Sequence, residues 1–522
     1  MKRLCLTVIA VTAMSAFADF KIDKSVMSQE YWNIWNDEVQ AKIDADIEKY
    51  RKADASVVID APDGAVVSVS QQTHDFFFGA HIFNFGQLGK KEWNDKYKDL
   101  YGTLFNSATV AFYWRTLEPY PYAVRFEERY EETENFWNNC AHPKEQPHWR
   151  RPAVDPVISY LSTRGVRIHG HPLVWGNNHW HRPTWIWDDF CPQSEKIALQ
   201  RAAKVKIPSR DVTKSICECD RAYTTAWQSA WRKVYNALSE EEIAKLIPTY
   251  LKAEEKFQEE RIRKIAERYG SRVHSWDVVN ESATDFENFG MKAVRNKPFD
   301  ASRYGPLPAD YAYKAFLWTQ KYMPKSAWLN INEYHMSPFF KQVDDLVKNG
   351  AKIDVVGSQM HLFNPAESVN IAQGKGPEHL RPEKIAERFK DLSQANLPIH
   401  LSEITITAPD TSRRGQMVQA IITRNLYRAW FSVEKMNGIT WWNVVDDCGA
   451  PGEPSISGIF TRDMRPKTAY FALNDLIHRE WKTNLKVKVK DGKVAFRGFR
   501  GRYHLTWKNA EGKDSMVSID VK

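Results

Sequence analysis

The 522-residue chain is poor in several things, and each shortage excludes a class of protein. Six cysteines are too few and too scattered for a disulfide scaffold. Cys217-Glu218-Cys219 lacks zinc spacing and has no matching second pair. His169-x-His171 and His179-x-His181 are not recognised ligand patterns either, so no metal site is expected. Glycine (24) and proline (25) are too sparse for a collagen-like or low-complexity chain. Charge of one sign is also lacking. The 73 Lys and Arg against 65 Asp and Glu are scattered rather than striped, which argues against nucleic acid as a partner. No apolar run approaches transmembrane length. What the chain does have is aromatics: 20 Trp, 21 Tyr and 26 Phe. Tryptophan offers a broad apolar face and one polar N–H, so this excess fits a large core or a cleft that receives flat rings.

Met1 to Ala18 reads as a secretory leader. Lys2 and Arg3 precede a short apolar run, Leu4 to Phe17, and Ala16-Phe17-Ala18 has the small-x-small pattern of a cleavage site. The expectation is a secreted or periplasmic protein, cut after Ala18, in which one or two disulfides could form after export.

Residues 28–54 carry apolar positions every three or four residues, which predicts a helix. Val57–Ile59 and Val66–Val69 flank Ala61-Pro62-Asp63-Gly64, which predicts a β-hairpin. From residue 76 eight short apolar runs alternate with amphipathic stretches. The runs are Phe76–Phe83, Ala108–Tyr113, Val166–Trp175, Val273–Glu281, Trp328–Tyr334, Ile353–His361, Ile399–Ile406 and Ile439–Asp446. Eightfold strand–helix alternation predicts an α/β fold, a closed (β/α)8 TIM barrel. A doubly wound sheet is the rival, but no glycine-rich phosphate fingerprint follows the first strand. After about residue 479 alternation returns in four short runs, predicting a small antiparallel β module packed on the barrel. The expected division is leader 1–18, helix and hairpin 19–75, barrel 76–478 and β module 479–522. The longest inter-strand stretch, 176–272, contains Trp180, Trp185 and Trp187. It is either a functional insertion or a structural flap.

Barrel enzymes react at the C-terminal ends of their strands. Strand four ends Trp276-Asp277-Val278-Val279-Asn280-Glu281 and strand seven runs His400-Leu401-Ser402-Glu403. Each puts one carboxylate at the rim. His171 and Trp175 (strand three), Gln359 and His361 (strand six) and Trp442 (strand eight) join them. Two carboxyls with histidine and tryptophan suit acid/base cleavage of a sugar polymer, one as proton donor and the other as nucleophile or base. No cofactor is implied.

These segments resemble family 10 glycoside hydrolases, the endo-β-1,4-xylanases. Trp276–Glu281 resembles the acid/base motif, His171-Pro-Leu-Val-Trp175 the strand-three motif, and Asn332-Glu333-Tyr334 the strand-five motif. Gly357-Ser-Gln359-Met-His361 and Leu401-Ser402-Glu403 resemble strand six and the nucleophile strand. Gly438-Ile-Thr-Trp-Trp442 and Pro466-Lys-Thr-Ala-Tyr470 continue the match. The resemblance implies a barrel that hydrolyses internal β-1,4 bonds of a plant-type polysaccharide, xylan by default, with retention. It implies Glu281 as acid then base, Glu403 as nucleophile, Asn280 on the sugar 2-hydroxyl and His361 holding Glu403 ionised. His171, Trp175, Asn178, Tyr334, Gln359 and Trp442 are the implied substrate contacts, in a monomer whose partner is its polysaccharide. The family's strand-two Asn and Lys are replaced by Val110 and Tyr113, its second His by Gly176 and its following Gln by Asn178. Two alternatives follow: the same chemistry on another β-linked polymer, and an inactive barrel that only binds glycans.

Overall fold

The computed structural model describes residues 20–522 except 130–131, 141–150, 180, 210–220, 289–293, 394 and 451. The leader, Trp180 and the Cys217/Cys219 pair lie outside the described residues. Among the described residues Cys140 and Cys191 are free.

The first helical stretch is two helices, Gln29–Ile34 and Asp37–Arg51. The break has a local cause: the Asn36 side chain accepts from the Val39 N–H and starts a new helix. Strands β1 (Lys52–Val58) and β2 (Val66–Gln71) follow. Eight parallel strands then close a barrel. They are β3 (Phe77–His81), β4 (Ser107–Ala111), β5 (Arg167–His171) and β6 (Ser275–Asn280), then, after a short hairpin of β7 (Phe299–Ser302) and β8 (Gly305–Pro308), β9 (Trp328–Glu333), β10 (Val355–Leu362), β11 (Ile399–Ile406) and β12 (Met436–Trp441). Strand β12 pairs back onto β3. The barrel expected from strand–helix alternation is therefore present. Its strands are buried on both faces because helices cover the outside, which is why they read as apolar runs rather than as alternation. Gly170 shows how tightly the layer between strands and helices is packed. A Cβ there would lie 2.3 Å from the Trp276 ring.

The tail strands are β13 (Asn484–Lys488), β14 (Lys493–Phe499), β15 (Gly501–Lys508) and β16 (Asp514–Val521). The expected N-terminal hairpin does not pair with itself. Strand β2 lies between β13 and β15, and β1 pairs with β14. The reason is burial. Val67 and Val69 on β2 bury against Val494, Tyr503 and Leu505, whereas an isolated two-stranded hairpin is marginal in water. The turn itself is retained, with the Asp63 carboxylate accepting from the Asp491 and Gly492 N–H groups.

Between β5 and β6 the long insertion folds as helices around its own apolar cluster. Trp185 and Trp187 are 2% and 1% exposed in that cluster, so they are core rather than sugar platforms. The cluster is tied by an interior ion pair, Arg182 to Glu254 at 3.1 Å.

Candidate active site

The C-terminal ends of the barrel strands enclose a cleft of about 1280 Å³ including its mouth. Glu281, Glu403, His171, Trp175, Tyr334, Gln359, His361 and Trp442 all line it. Asn280 lies just beneath, and its Oδ1 accepts from Asn332 Nδ2 at 2.8 Å. Its own Nδ2 is buried without a partner, a donor ready for a ligand oxygen. Asn178 is not part of the cleft wall. Its carbonyl accepts from the His181 and Arg182 N–H groups and builds the turn that leaves β5.

Local backbone irregularities aim the two carboxylates. Glu281, just past β6, has φ +52°, an uncommon conformation for a non-glycine residue. Its N–H donates to the Asn332 carbonyl at 2.8 Å, which holds it there. On β11 the register against β10 skips Ser402, so that Gln359 pairs with Glu403. Such a bulge re-aims the side chain that follows it.

A single amide joins the carboxylates. Gln359 Nε2 donates to Glu281 Oε1 at 3.0 Å and to Glu403 Oε1 at 3.1 Å. That bridge limits the separation of those two oxygens to about 6 Å. Burial pushes Glu281 up to about 7, and the Glu403 charge adds to this. Burial pushes Glu403 up to about 8, with the Asp277 and Glu453 charges adding to it and His171 and the Asn332 amide opposing. The pair therefore holds a proton near neutrality. We place it on Glu281. Glu403 accepts from Asn332 Nδ2 at 2.8 Å as well as from Gln359, and His171 Nε2 stands 3.8 Å away. These donors favour the anion on Glu403.

His171 is backed by Asp277. This carboxylate is buried beside both strand-three histidines, 2.8 Å from His171 Nδ1 and 2.9 Å from His169 Nε2. Although burial acts the other way, the two histidines hold Asp277 below the usual carboxylate range. His361 differs. Its Nδ1 meets only the neutral Thr405 hydroxyl at 2.9 Å, its Nε2 is 3.5 Å from Glu403, and burial lowers it to about 4. It stands beside Glu403 with Nε2 facing the carboxylate, the side from which the resemblance implied support for the anion.

The strand-two departures are also visible. Val110 is core, while Tyr113 joins Phe83, Trp175 and Trp442 in an aromatic wall. Arg151 lies 4.5 Å from the Phe83 ring and 5.2 Å from that of Tyr113. Trp276 is fully buried against Phe112, on the side of its strand away from the barrel interior, and contributes nothing to the cleft surface. Sequence reasoning gave no role to Asp277, Asn332 or Glu333. The first has a signal, an acid within a strand whose six residues are all buried. Glu333 accepts from the Ala283, Tyr334 and His335 N–H groups and so ties two rim loops together.

Comparison with known proteins gives a match to the family model described as Glycosyl hydrolase family 10 over residues 221–476. Among curated proteins the chain is similar to endo-1,4-beta-xylanase C of Paenibacillus barcinonensis, 23% identical over 388 residues, 68% of this chain and 29% of that protein. It is also similar to endo-1,4-beta-xylanase B of Thermotoga neapolitana, 24% identical over 237 residues, 43% of this chain and 62% of that protein. The chain thus spans less than two thirds of the length of these relatives. Among solved structures, native xylanase 10B from Thermotoga maritima is 17% identical with a TM-score of 0.48, covering 78% of this chain and 96% of that one.

Proposed function

We propose that the chain is a member of glycosyl hydrolase family 10, whose model matches residues 221–476, and that it is an exported, monomeric, cofactor-independent retaining glycoside hydrolase that cuts internal β-1,4 bonds of a polysaccharide. Xylan is the default polymer, after the xylanase names of its relatives. The observation that carries the reading is the Gln359 bridge. It brings the carboxylates within about 6 Å at their nearest oxygens. That favours the roughly 5–5.5 Å of retaining pairs over the 6.5–9.5 Å of inverting ones.

In the first step protonated Glu281 gives its proton to the glycosidic oxygen while a Glu403 oxygen attacks the anomeric carbon. The C–O bond to the leaving sugar breaks and a glycosyl ester forms on Glu403. In the second step Glu281, now a carboxylate, takes a proton from water as that water attacks the same carbon. The sugar leaves with its original configuration and Glu281 is protonated again. Asn280 Nδ2, buried without a partner, suits the 2-hydroxyl of the sugar under attack. Trp175 and Trp442 offer ring faces on one side and Tyr334, 53% exposed, on the other.

A second reading keeps this chemistry on a different β-linked polymer. It is favoured by the aromatic wall around Tyr113 in place of the polar strand-two grip. The test is a panel of β-linked polysaccharides with reducing-end release and the first-formed anomer followed by NMR. Wild type should release β-anomers first. Glu281→Ala should lower kcat/KM by about 10²–10⁴-fold, and Glu403→Ala should abolish turnover. Full activity of Glu403→Ala on every glycan sinks the assignment, and α-anomers first sink retention.

A further inference from the structure

Arg388 lies on the helix Pro382–Ser393, and its guanidinium lines the same cleft as Glu281 and Glu403. Its Nη2 donates to the Gln359 carbonyl at 3.1 Å. Its Nε is buried with no acceptor. Among the described residues no carboxylate pairs with it, and burial alone lowers its pKa. The other charges of that wall do not answer it. Glu453 is engaged by the Trp442 indole at 3.2 Å and the Ala450 N–H at 2.9 Å. His379 is exposed, and its partial desolvation and then Arg388 lower its pKa. A mostly buried guanidinium without a counter-ion is unusual in a folded protein. A ligand anion bound in the cleft would be the missing partner. Beside it, Phe363 is 41% exposed and stacks on His361 at 4.5 Å, leaving a ring face for a sugar.

We propose that Arg388, flanked by His379 and Phe363, is a subsite for the carboxylate of a uronic acid carried by the β-glycan. This rests on the hydrolase reading above. It adds that the preferred polymer is acidic near the scissile bond. The guanidinium donates Nε–H to the carboxylate as a charge-assisted hydrogen bond, while Nη2 stays on the Gln359 carbonyl and holds the group in place.

Three soluble probes test it: neutral β-1,4-xylotetraose, the same tetramer bearing one α-1,2-linked glucuronic acid, and β-1,4-tetraglucuronate. Binding is measured by calorimetry on Glu403→Gln protein with and without Arg388→Gln, and kcat/KM on the corresponding proteins with Glu403 intact. One acidic probe should bind about tenfold more tightly than the neutral one, with the advantage shrinking as salt rises. Preference for the branched probe puts the carboxylate on a side chain, and preference for tetraglucuronate puts it in the backbone. Arg388→Gln should erase the preference and leave the neutral probe within about twofold, while Arg388→Lys restores part of it. Equal binding of all three probes to the Arg388-containing protein, or an equal loss on all three in Arg388→Gln, overturns the subsite. Loss of the acidic preference in a protein that hydrolyses none of the probes overturns the hydrolase reading and leaves the subsite standing.

Discussion

Gln359 decides how the two carboxylates behave as a pair, since one amide nitrogen serves both. The charge state it supports has a stability cost that can be read out. Glu281 sits in the fold well above its ordinary 4.5, at about 7, so the fold keeps a proton that the unfolded chain releases. Stability conferred below pH 4.5 is therefore lost as pH climbs from about 4.5 to about 7. Glu281→Gln removes that loss. Its thermal unfolding should match wild type at pH 4 and exceed it at pH 8, by about 3 kcal/mol; a variant less stable than wild type at pH 8 contradicts the raised pKa. At this scale much of the site was legible. Glu281 and Glu403 end or interrupt apolar runs, and a charged residue in such a run must point at something. Arg388 was not legible, because on an amphipathic helix an arginine that faces a cleft looks like one that faces water. The lowered pKa of His361 was hidden too, since it comes from burial in the folded cleft.

Strands β6, β10 and β11 carry the chemistry through departures from regularity rather than through regularity itself. The skipped register at Ser402 and at Val278 turns Glu403 inward and sets Asn280 opposite Asn332. Gly357 is the corresponding clearance on β10. A Cβ there would meet Asn332 Oδ1 at 2.6 Å, and Asn332 is the residue that donates to Glu403 and to Asn280. Gly357→Ala should cost about 1–3 kcal/mol of stability by denaturant unfolding. It should also lower kcat/KM where stability is still ample, since the displaced amide leaves Glu403 with one fewer donor. An unchanged kcat/KM would show that Asn332 does not support the nucleophile. Strand positions followed from apolar runs because both faces are buried. Bulges did not, since they arise from how neighbouring strands settle against each other. The break at Asn36 had a sequence signal, an asparagine three residues before Val39, but helical periodicity runs straight across it.

The molecule as a whole is closed by its extremities. Strands β1 and β2 find their partners in β13, β14 and β15, and Trp481 leads into that segment stacked on Phe431 at 4.1 Å. Deleting residues 484–522 should strip β2 of both neighbours and bare Val67 and Val69. Expected is a lower Tm and concentration-dependent aggregation by light scattering, as for any exposed strand edge; a truncated chain as stable and soluble as wild type would mean that the sheet only decorates the barrel. This pairing was illegible in the sequence, where each end reads as a self-sufficient run of alternation and nothing marks which runs meet. It also has a consequence in time. Ser70 and Asn484 are 414 residues apart and hydrogen-bonded. At about 5–20 residues per second of synthesis, β2 waits roughly 20–80 s for the strands that shield it. During that wait the nascent chain carries an open strand edge ahead of a nearly finished barrel. A ribosome that stalls before residue 484 releases a product with its catalytic strands made and its seam unsewn.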